Sequence, residues 1–418
     1  MNDKNVVGVD FGTSNSLLAI AKSEEDIKPI PMEGEESVIP TALFFGDEVK
    51  FGKNAINAYL MGLNGRFMRG IKNLLGSRAD IDGTNINGRF TTFSDLVKIF
   101  MNHLKTTAEK KLGASLEDVV VGRPVHFDSD EKEDKAAEKN LEDISHKIGY
   151  KNVSFQYEPI AAGLSYEKDL NAEELVLVAD LGGGTSDFSV IRLSPEGQKK
   201  DDRSSDILAN DSVHVAGMDL DYHISYNYLM PYFGKDTNTT DGLPIPYSYY
   251  WTASKWHDIR KMYTPLYMTE VENLYRRVQH PELFKRYFEM VKKEKGHHVL
   301  FEVEDSKIRL GKQEKSEMDL SEIEDGFYVK LTRQDFLKNT EEPREKIVSK
   351  ARETIKSSGV GGEKIKSIIY TGGTSLVPSI TDEINSMCPN ASIKKISTFS
   401  AVGKGLALEA LRRYSKNR

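Results

Sequence analysis

The feature that most constrains this chain is a pattern that occurs twice. Val6-Val7-Gly8-Val9-Asp10-Phe11-Gly12-Thr13-Ser14-Asn15-Ser16 runs into the apolar Leu17-Leu18-Ala19-Ile20. Leu175-Val176-Leu177-Val178-Ala179-Asp180-Leu181-Gly182-Gly183-Gly184-Thr185-Ser186-Asp187 runs into Phe188-Ser189-Val190-Ile191. Each is a short apolar run ended by Asp, then a turn of Gly, Thr and Ser, then a second run with period-two character. That order reads as a strand, a tight turn and an antiparallel strand. About 170 positions separate Asp10 from Asp180, a spacing too long for a solenoid and suited to a duplicated lobe. A third apolar run, residues 365–370, ends in Thr371-Gly372-Gly373-Thr374-Ser375, and residues 379–387 read as a helix beginning beside that turn.

Between these anchors strand and helix patterns alternate, which predicts α/β layering. Residues 96–112, 130–148, 344–357 and 401–412 have helical spacing, Glu158-Pro159-Ile160-Ala161-Ala162-Gly163 opens a small-residue helix, and Val119 to Val121 reads as a buried strand stopped near Pro124. With 418 residues the chain exceeds one usual hydrophobic core, so two lobes are expected. The polar segment 195–211 reads as an extended hairpin loop. Residues 244–256 concentrate Pro244, Pro246, Tyr247, Tyr249, Tyr250, Trp251 and Trp256; they read first as the core of a helical subdomain and second as a recognition surface.

Composition excludes several classes. The net charge of −7 argues against non-specific binding to nucleic acid or anionic lipid. No apolar run reaches the roughly 18 residues that span a bilayer, and the N-terminus has no apolar signal core. The single cysteine, Cys388, cannot form an internal disulfide and reads as a small buried or half-buried apolar residue; a cytoplasmic location follows as the expectation. His297-His298 lacks further ligands at metal spacing and reads as solvated surface, and the charge run 131–139 as the wet face of a helix.

The doubled turn has a chemical use. Glycines let successive backbone N–H groups converge into a concave nest that binds phosphate. The hydroxyls of Thr13, Ser14, Thr185 and Ser186 can donate to the same oxygens. Asp10, Asp180 and Asp187 would repel a bare polyphosphate, so they imply a divalent cation held through water, most simply Mg²⁺. Two such loops can grip a phosphate chain from both sides.

These motifs resemble the nucleotide-binding domain of the heat-shock protein 70 (DnaK-type) chaperones, within the actin, hexokinase and heat-shock ATPase superfamily. The two loops resemble that family's phosphate loops, Ile71-Lys72-Asn73-Leu74-Leu75-Gly76 the segment of its catalytic lysine, and residues 121–127 its hinge strand. Tyr157-Glu158-Pro159-Ile160-Ala161-Ala162 is similar to its Glu-Pro helix start, residues 303–310 to its ribose and adenine helix, and residues 369–378 to its adenosine loop. The resemblance implies an α/β, two-lobed actin-like ATPase fold of duplicated ribonuclease H-like lobes with inserted subdomains. Lobe I would comprise residues 1–167 and 396–418, and lobe II residues 168–395 with a helical insert at about 225–340. It implies Lys72, Glu158 and Asp187 as catalytic residues and Asp10, Asp180 and Asp187 as holders of Mg²⁺, with K⁺ as a further ion. ATP or ADP would contact Gly12, Thr13, Ser14, Asn15, Gly182, Gly183, Gly184, Thr185, Ser186, Glu304, Lys307, Ile308, Gly372, Gly373 and Thr374.

The chain departs from the family where two arginines sandwich adenine: it has Ile308 and Leu376 there, Gly311 in place of a serine, and Phe399 in place of an acid. Aliphatic faces can pack a purine but lose cation–π attraction. The expected function is an ATP-binding, ATP-hydrolysing chaperone-like switch without its own peptide-binding domain, acting as a monomer with a protein partner or co-chaperone. An actin-like filament protein, a catalytically weak nucleotide-binding scaffold and a small-metabolite kinase remain as alternatives.

Overall fold

The computed structural model describes residues 5–128, 130–197, 200, 203–256, 258–394 and 400–415. Two compact units result, one of Met1–Ala216, Lys346–Ser375 and Ile380–Arg418, the other of Gly217–Glu345 with Leu376–Ser379. Phe399, the departure expected at the start of the last helix, lies outside the described residues.

The first unit contains two mixed sheets built to one plan. In the first, strand Val6–Phe11 pairs antiparallel with Asn15–Ala21 and parallel with Asp118–Arg123, which pairs parallel with Asn152–Tyr157. In the second, Glu174–Leu181 pairs antiparallel with Ser186–Leu193 and parallel with Ser367–Thr371, which pairs parallel with Ser392–Lys394. Ile27–Pro29 adds an antiparallel strand beyond the first hairpin, and Ile207–Val213 does the same for the second. The sequence duplication is thus a duplication of topology.

Alternation along a strand sends successive side chains to opposite faces, and both faces here are covered. From strand Val6–Phe11, Val7, Val9 and Phe11 pack in one core with Leu96, Phe100 and Leu104 of helix Phe93–Leu112 and with Leu141 and Ile144 of helix Glu131–Lys147. Val6, together with Leu17, Ala19 and Val120, enters a second core shared with Val176, Val178 and Ile369 of the other sheet. Two helices fill that shared layer, Glu158–Glu167 with Ile160 and Ala161, and Ala401–Ser415 with Leu406 and Ala407.

Small residues set how close these layers come. A Cβ at Gly405 would sit 1.7 Å from the Ala161 carbonyl oxygen, so the two helices cross backbone to backbone. A Cβ at Gly8 would lie 2.3 Å from the Ala407 amide nitrogen. This crossing fixes the distance between the two sheets, and with it the distance between their turns.

The second unit is mainly helical, with a hairpin of Lys315–Asp319 and Tyr328–Thr332. Its core is aromatic: Phe233, Tyr250, Phe284 and Tyr287 are fully buried, and the Tyr287 hydroxyl donates to the Tyr249 carbonyl at 2.9 Å. Tyr250 and Trp256 belong to the core as expected of a helical subdomain, whereas Tyr247 and Trp251 are exposed.

Three expectations change. Segment 195–211 is not all loop, because Ile207–Val213 forms an edge strand whose polar residues are half-buried. His297 is buried, its Nε2 3.2 Å from the Trp256 carbonyl oxygen, because it lies on the inward side of helix Gly296–Leu310. The run 131–139 is not uniformly wet, since Glu133, Asp134 and Glu138 are half-buried and engaged by Ser77 or Arg123. Cys388 is buried as expected, and burial pushes its thiol up to about 11.

The Gly405 crossing makes a testable statement about stability. Gly405→Val must push two helix backbones apart and should cost about 3 kcal/mol or more, read as a lower midpoint in denaturant unfolding. A midpoint unchanged from the parent would remove the crossing from this account.

Candidate functional site

Both turns of the duplicated hairpins lie in the first unit and face each other. A Cβ at Gly183 would sit 2.1 Å from the Ser14 hydroxyl oxygen. One at Gly184 would be 3.1 Å from both Thr13 Oγ1 and Asn73 Oδ1. Only glycine lets the loops approach this closely. The first loop is braced from behind: Thr41 donates its hydroxyl to the Gly12 carbonyl at 2.7 Å, and its amide to the Ser14 carbonyl at 2.8 Å. The second is closed by the Gly182 amide donating to the Thr185 carbonyl, and Thr374 donates to the Gly182 carbonyl at 2.7 Å. Ser186 is buried and donates to the Val215 carbonyl, away from the turn. Asn15 is the first residue of its returning strand, paired with Pro40.

Strand pairing gathers the carboxylates. Asp180 and Asp187 are direct cross-strand partners, and Asp180 also pairs with Thr371 in the parallel neighbour. Asp10 is the penultimate residue of the equivalent strand of the first sheet, as Asp180 is of its own. Lys72 sits on a short helical turn, Ile71–Leu74, entered through Gly70 in the left-handed region, and Glu158 is the first residue of its helix. These two meet: Lys72 donates to Glu158 Oε1 at 2.6 Å, with side chains only 7 % and 8 % exposed.

The electrostatics follow from burial. Desolvation, then the negative charges of Glu158 and Asp180, hold the Asp10 carboxyl well above its ordinary value, Lys72 opposing them. Burial and Glu158 raise Asp180 to about 7. Burial, Glu158 and Asp180 raise Asp187 to about 8, although the Val125 amide and Thr185 hydroxyl favour its ionised form. Burial disfavours the Lys72 ammonium, yet Glu158, Asp10 and Asp187 overcome this and raise its pKa. The site therefore gathers more carboxyls than one lysine can keep ionised.

A divalent cation fits this donor set. Mg²⁺ keeps several of its own waters and binds carboxylates through them. Asp10, Asp180 and Asp187 would hold those waters.

The remaining candidates are distributed differently. Gly372 lies in the first unit with φ +74°, and a Cβ there would meet the Leu181 carbonyl at 2.3 Å, so glycine is required. Gly373 is exposed and Thr374 buried. Glu304, Lys307 and Ile308 belong to the second unit. There Lys307 donates to Asp221 at 2.8 Å and to the Gly217 carbonyl at 3.0 Å, so its ammonium is engaged within that unit. Ile308 and Leu376 are both about half exposed, and a Cβ at Gly311 would lie near the carbonyl oxygens of both.

Sequence reasoning passed over Asn73, Thr41 and Arg123. Asn73 accepts from Thr13 at 3.2 Å, and its place beside Lys72 was the available signal. Nothing local marks Thr41 or the Val125 amide, whose partners are distant in sequence.

The raised carboxyls give a pH prediction. Asp187 is protonated in the folded protein up to about pH 8 but ionises near 4 when unfolded, so the stability it contributes is present below about pH 4 and is lost as pH climbs to about 8. Asp187→Asn removes that loss. Without Mg²⁺ the variant should melt above the parent by a margin that widens from pH 5 to pH 8.5, and Mg²⁺ should narrow the margin. Parallel thermal melts check this; a margin independent of pH would contradict it.

Comparison with known proteins shows the family. A family model described as Hsp70 protein matches residues 6–241 and 288–412. The chain is 30 % identical over 240 residues to the chaperone protein DnaK of Ureaplasma urealyticum, covering 57 % of this chain and 37 % of that protein. It is 32 % identical over 190 residues to the DnaK of Mycoplasmopsis pulmonis, covering 45 % of this chain and 30 % of that protein. The aligned region thus spans about a third of the length of these curated relatives. No helix among the described residues is long and apolar enough to cross a membrane. With its duplicated sheets and facing glycine loops, this chain belongs to the Hsp70 family of ATP-binding, chaperone-type proteins and has their actin-like ATPase fold.

Proposed function

We propose that this chain binds Mg–ATP between its two glycine loops and hydrolyses it to ADP and phosphate, acting as a nucleotide-driven switch of the chaperone type. The observation that carries the reading is the buried Lys72–Glu158 pair set against Asp10, Asp180 and Asp187 beside two facing phosphate loops. Phosphoryl transfer to water depends mainly on positioning and charge neutralisation, and these residues supply both.

Each residue has a task in this scheme. Thr13, Ser14, Thr185 and the backbone around Gly12 and Gly182 to Gly184 bind phosphate oxygens. The Lys72 ammonium faces the terminal phosphate, where it offsets charge that develops as the bond to the leaving oxygen breaks. Glu158 holds Lys72 and, with Asp187 ionised once the cation is bound, orients the attacking water and accepts its proton. When bound, Mg²⁺ supplies charge neutralisation on the phosphates. Gly372, Gly373 and Thr374 of the first unit receive the nucleoside. Ile308 and Leu376 offer aliphatic faces to the base, and we infer weaker base discrimination than an arginine pair would give. Two lobes, residues 1–167 with 396–418 and residues 168–395, would change their relation on hydrolysis, and a protein partner or co-chaperone would read that change. Hydrolysis in a cytoplasmic, monomeric protein is the form this reading takes.

Titration calorimetry with ATP, ADP and GTP in Mg²⁺, joined to phosphate-release assays, tests it. Lys72→Ala should keep nucleotide affinity within a few-fold and lose at least about 100-fold in turnover. It should also lower stability by about 3–5 kcal/mol through the stranded Glu158 carboxylate, and Glu158→Gln in the same background should restore much of that. Unchanged turnover in Lys72→Ala would remove the residue from the mechanism. ATP-dependent light scattering would favour a filament protein instead, and phosphorylated product from a sugar panel would favour a kinase.

A further inference from the structure

The loop that carries the Val125 amide to Asp187 is clamped by a residue the proposed chemistry does not use. Arg123 ends strand Asp118–Arg123, and its side chain turns back over the four residues that follow. Its Nε donates to the Pro124 carbonyl at 3.0 Å and its Nη2 to the Val125 carbonyl at 3.2 Å. The same Nη2 reaches both oxygens of Asp134 at 2.9 Å, and Nη1 pairs with Glu138. Asp134 also accepts from the Phe127 amide at 2.6 Å. The Arg123 Cζ lies 5.2 Å from the ring centroids of Phe127 and Tyr157, and the Phe127 centroid in turn stands 5.9 Å from Lys72 Nζ. The guanidinium is 11 % exposed and Asp134 14 %. An exposed ion pair would contribute little, but this one is enclosed, shared between two carboxylates and tied to three backbone groups of one loop.

The helix that holds Arg123 also holds the turn of Lys72. Glu133, next to Asp134, accepts from the Ser77 amide at 2.8 Å and from the Ser77 hydroxyl, and Asn140 accepts from the Gly76 amide at 3.2 Å. Helix Glu131–Lys147 therefore grips, from its first three turns, both segments that present polar groups to the site. One arm runs through Arg123 to the Val125 amide and Asp187, the other through Ser77 to Lys72.

We propose that Arg123, anchored by Asp134 and Glu138, is a positioning residue for hydrolysis: it fixes loop 124–127 so that the Val125 amide holds Asp187 and the Phe127 ring backs Lys72. This rests on the reading that Asp187 and Lys72 serve ATP hydrolysis. Arg123 touches neither nucleotide nor water in this scheme, so its loss should act on turnover rather than on affinity. A guanidinium spans its five acceptors as a fork, which a lysine ammonium cannot do, so Arg123→Lys should restore little.

The test uses the full chain with Arg123→Ala, Arg123→Lys, Asp134→Asn and the double variant Arg123→Ala/Asp134→Asn. Hydrogen exchange on nucleotide-free protein should show faster exchange at the Val125 and Phe127 amides in each variant, with strand Val6–Phe11 unchanged. Steady-state kinetics should show kcat falling about tenfold with KM within twofold, and the double variant no slower than the worse single one, because both residues act through one clamp. Unaltered exchange at these amides overturns the proposal whatever the kinetics, and so does altered exchange with parental kcat. Should the parent itself release no phosphate, the nucleotide reading fails alone, and the exchange data still decide whether Arg123 holds the loop.

Discussion

Burial of four acids around one base is the constraint on which the rest of this structure depends. Asp10, Asp180, Asp187 and Glu158 converge where the two sheets meet, and Lys72 answers only one of them at ion-pair distance. Removing several carboxylates from water is expensive unless they are paired or protonated. The fold accepts that cost because strand pairing leaves no choice: Asp180 and Asp187 are register partners, and Asp10 holds the matching position in the other sheet. In the proposed reading, these crowded carboxyls take the cation and the two glycine loops beside them take the anion that it accompanies.

What brings the acids together is decided far from them. The two sheets approach through helices Glu158–Glu167 and Ala401–Ser415, which cross at Ala161 and Gly405 with no side chain between. The same packing that buries Ile160 and Leu406 aims Glu158 at Lys72 from its helix N-terminus. Packing, electrostatics and chemistry are thus consequences of one close approach.

Much of this was legible in the chain. The apolar runs ending in Asp10 and Asp180, each with its glycine-threonine turn, predicted hairpins that the register confirms, and their repetition predicted the repeated sheet plan. Local periodicity sufficed because each hairpin is formed by neighbours in sequence. It failed where partners are remote. Strand Ile207–Val213 reads as polar loop because its half-buried edge position does not demand apolar residues. Glu133, Asp134 and Glu138 read as wet charge, since Arg123 and Ser77, which bind them, approach from elsewhere in the chain. His297 lies in a pair whose spacing marks no burial, and the inward side of its helix, beside the Trp256 carbonyl, places it inside. The braces Thr41 and Asn73 escaped for the same reason.

Diffraction from crystals grown with ADP and Mn²⁺, collected at the manganese absorption edge, tests the central claim most directly. An anomalous peak among Asp10, Asp180 and Asp187, with the diphosphate cradled by residues 12–15 and 182–186, is the expected result. A diphosphate seated elsewhere, or manganese bound away from those three carboxylates, would contradict the account.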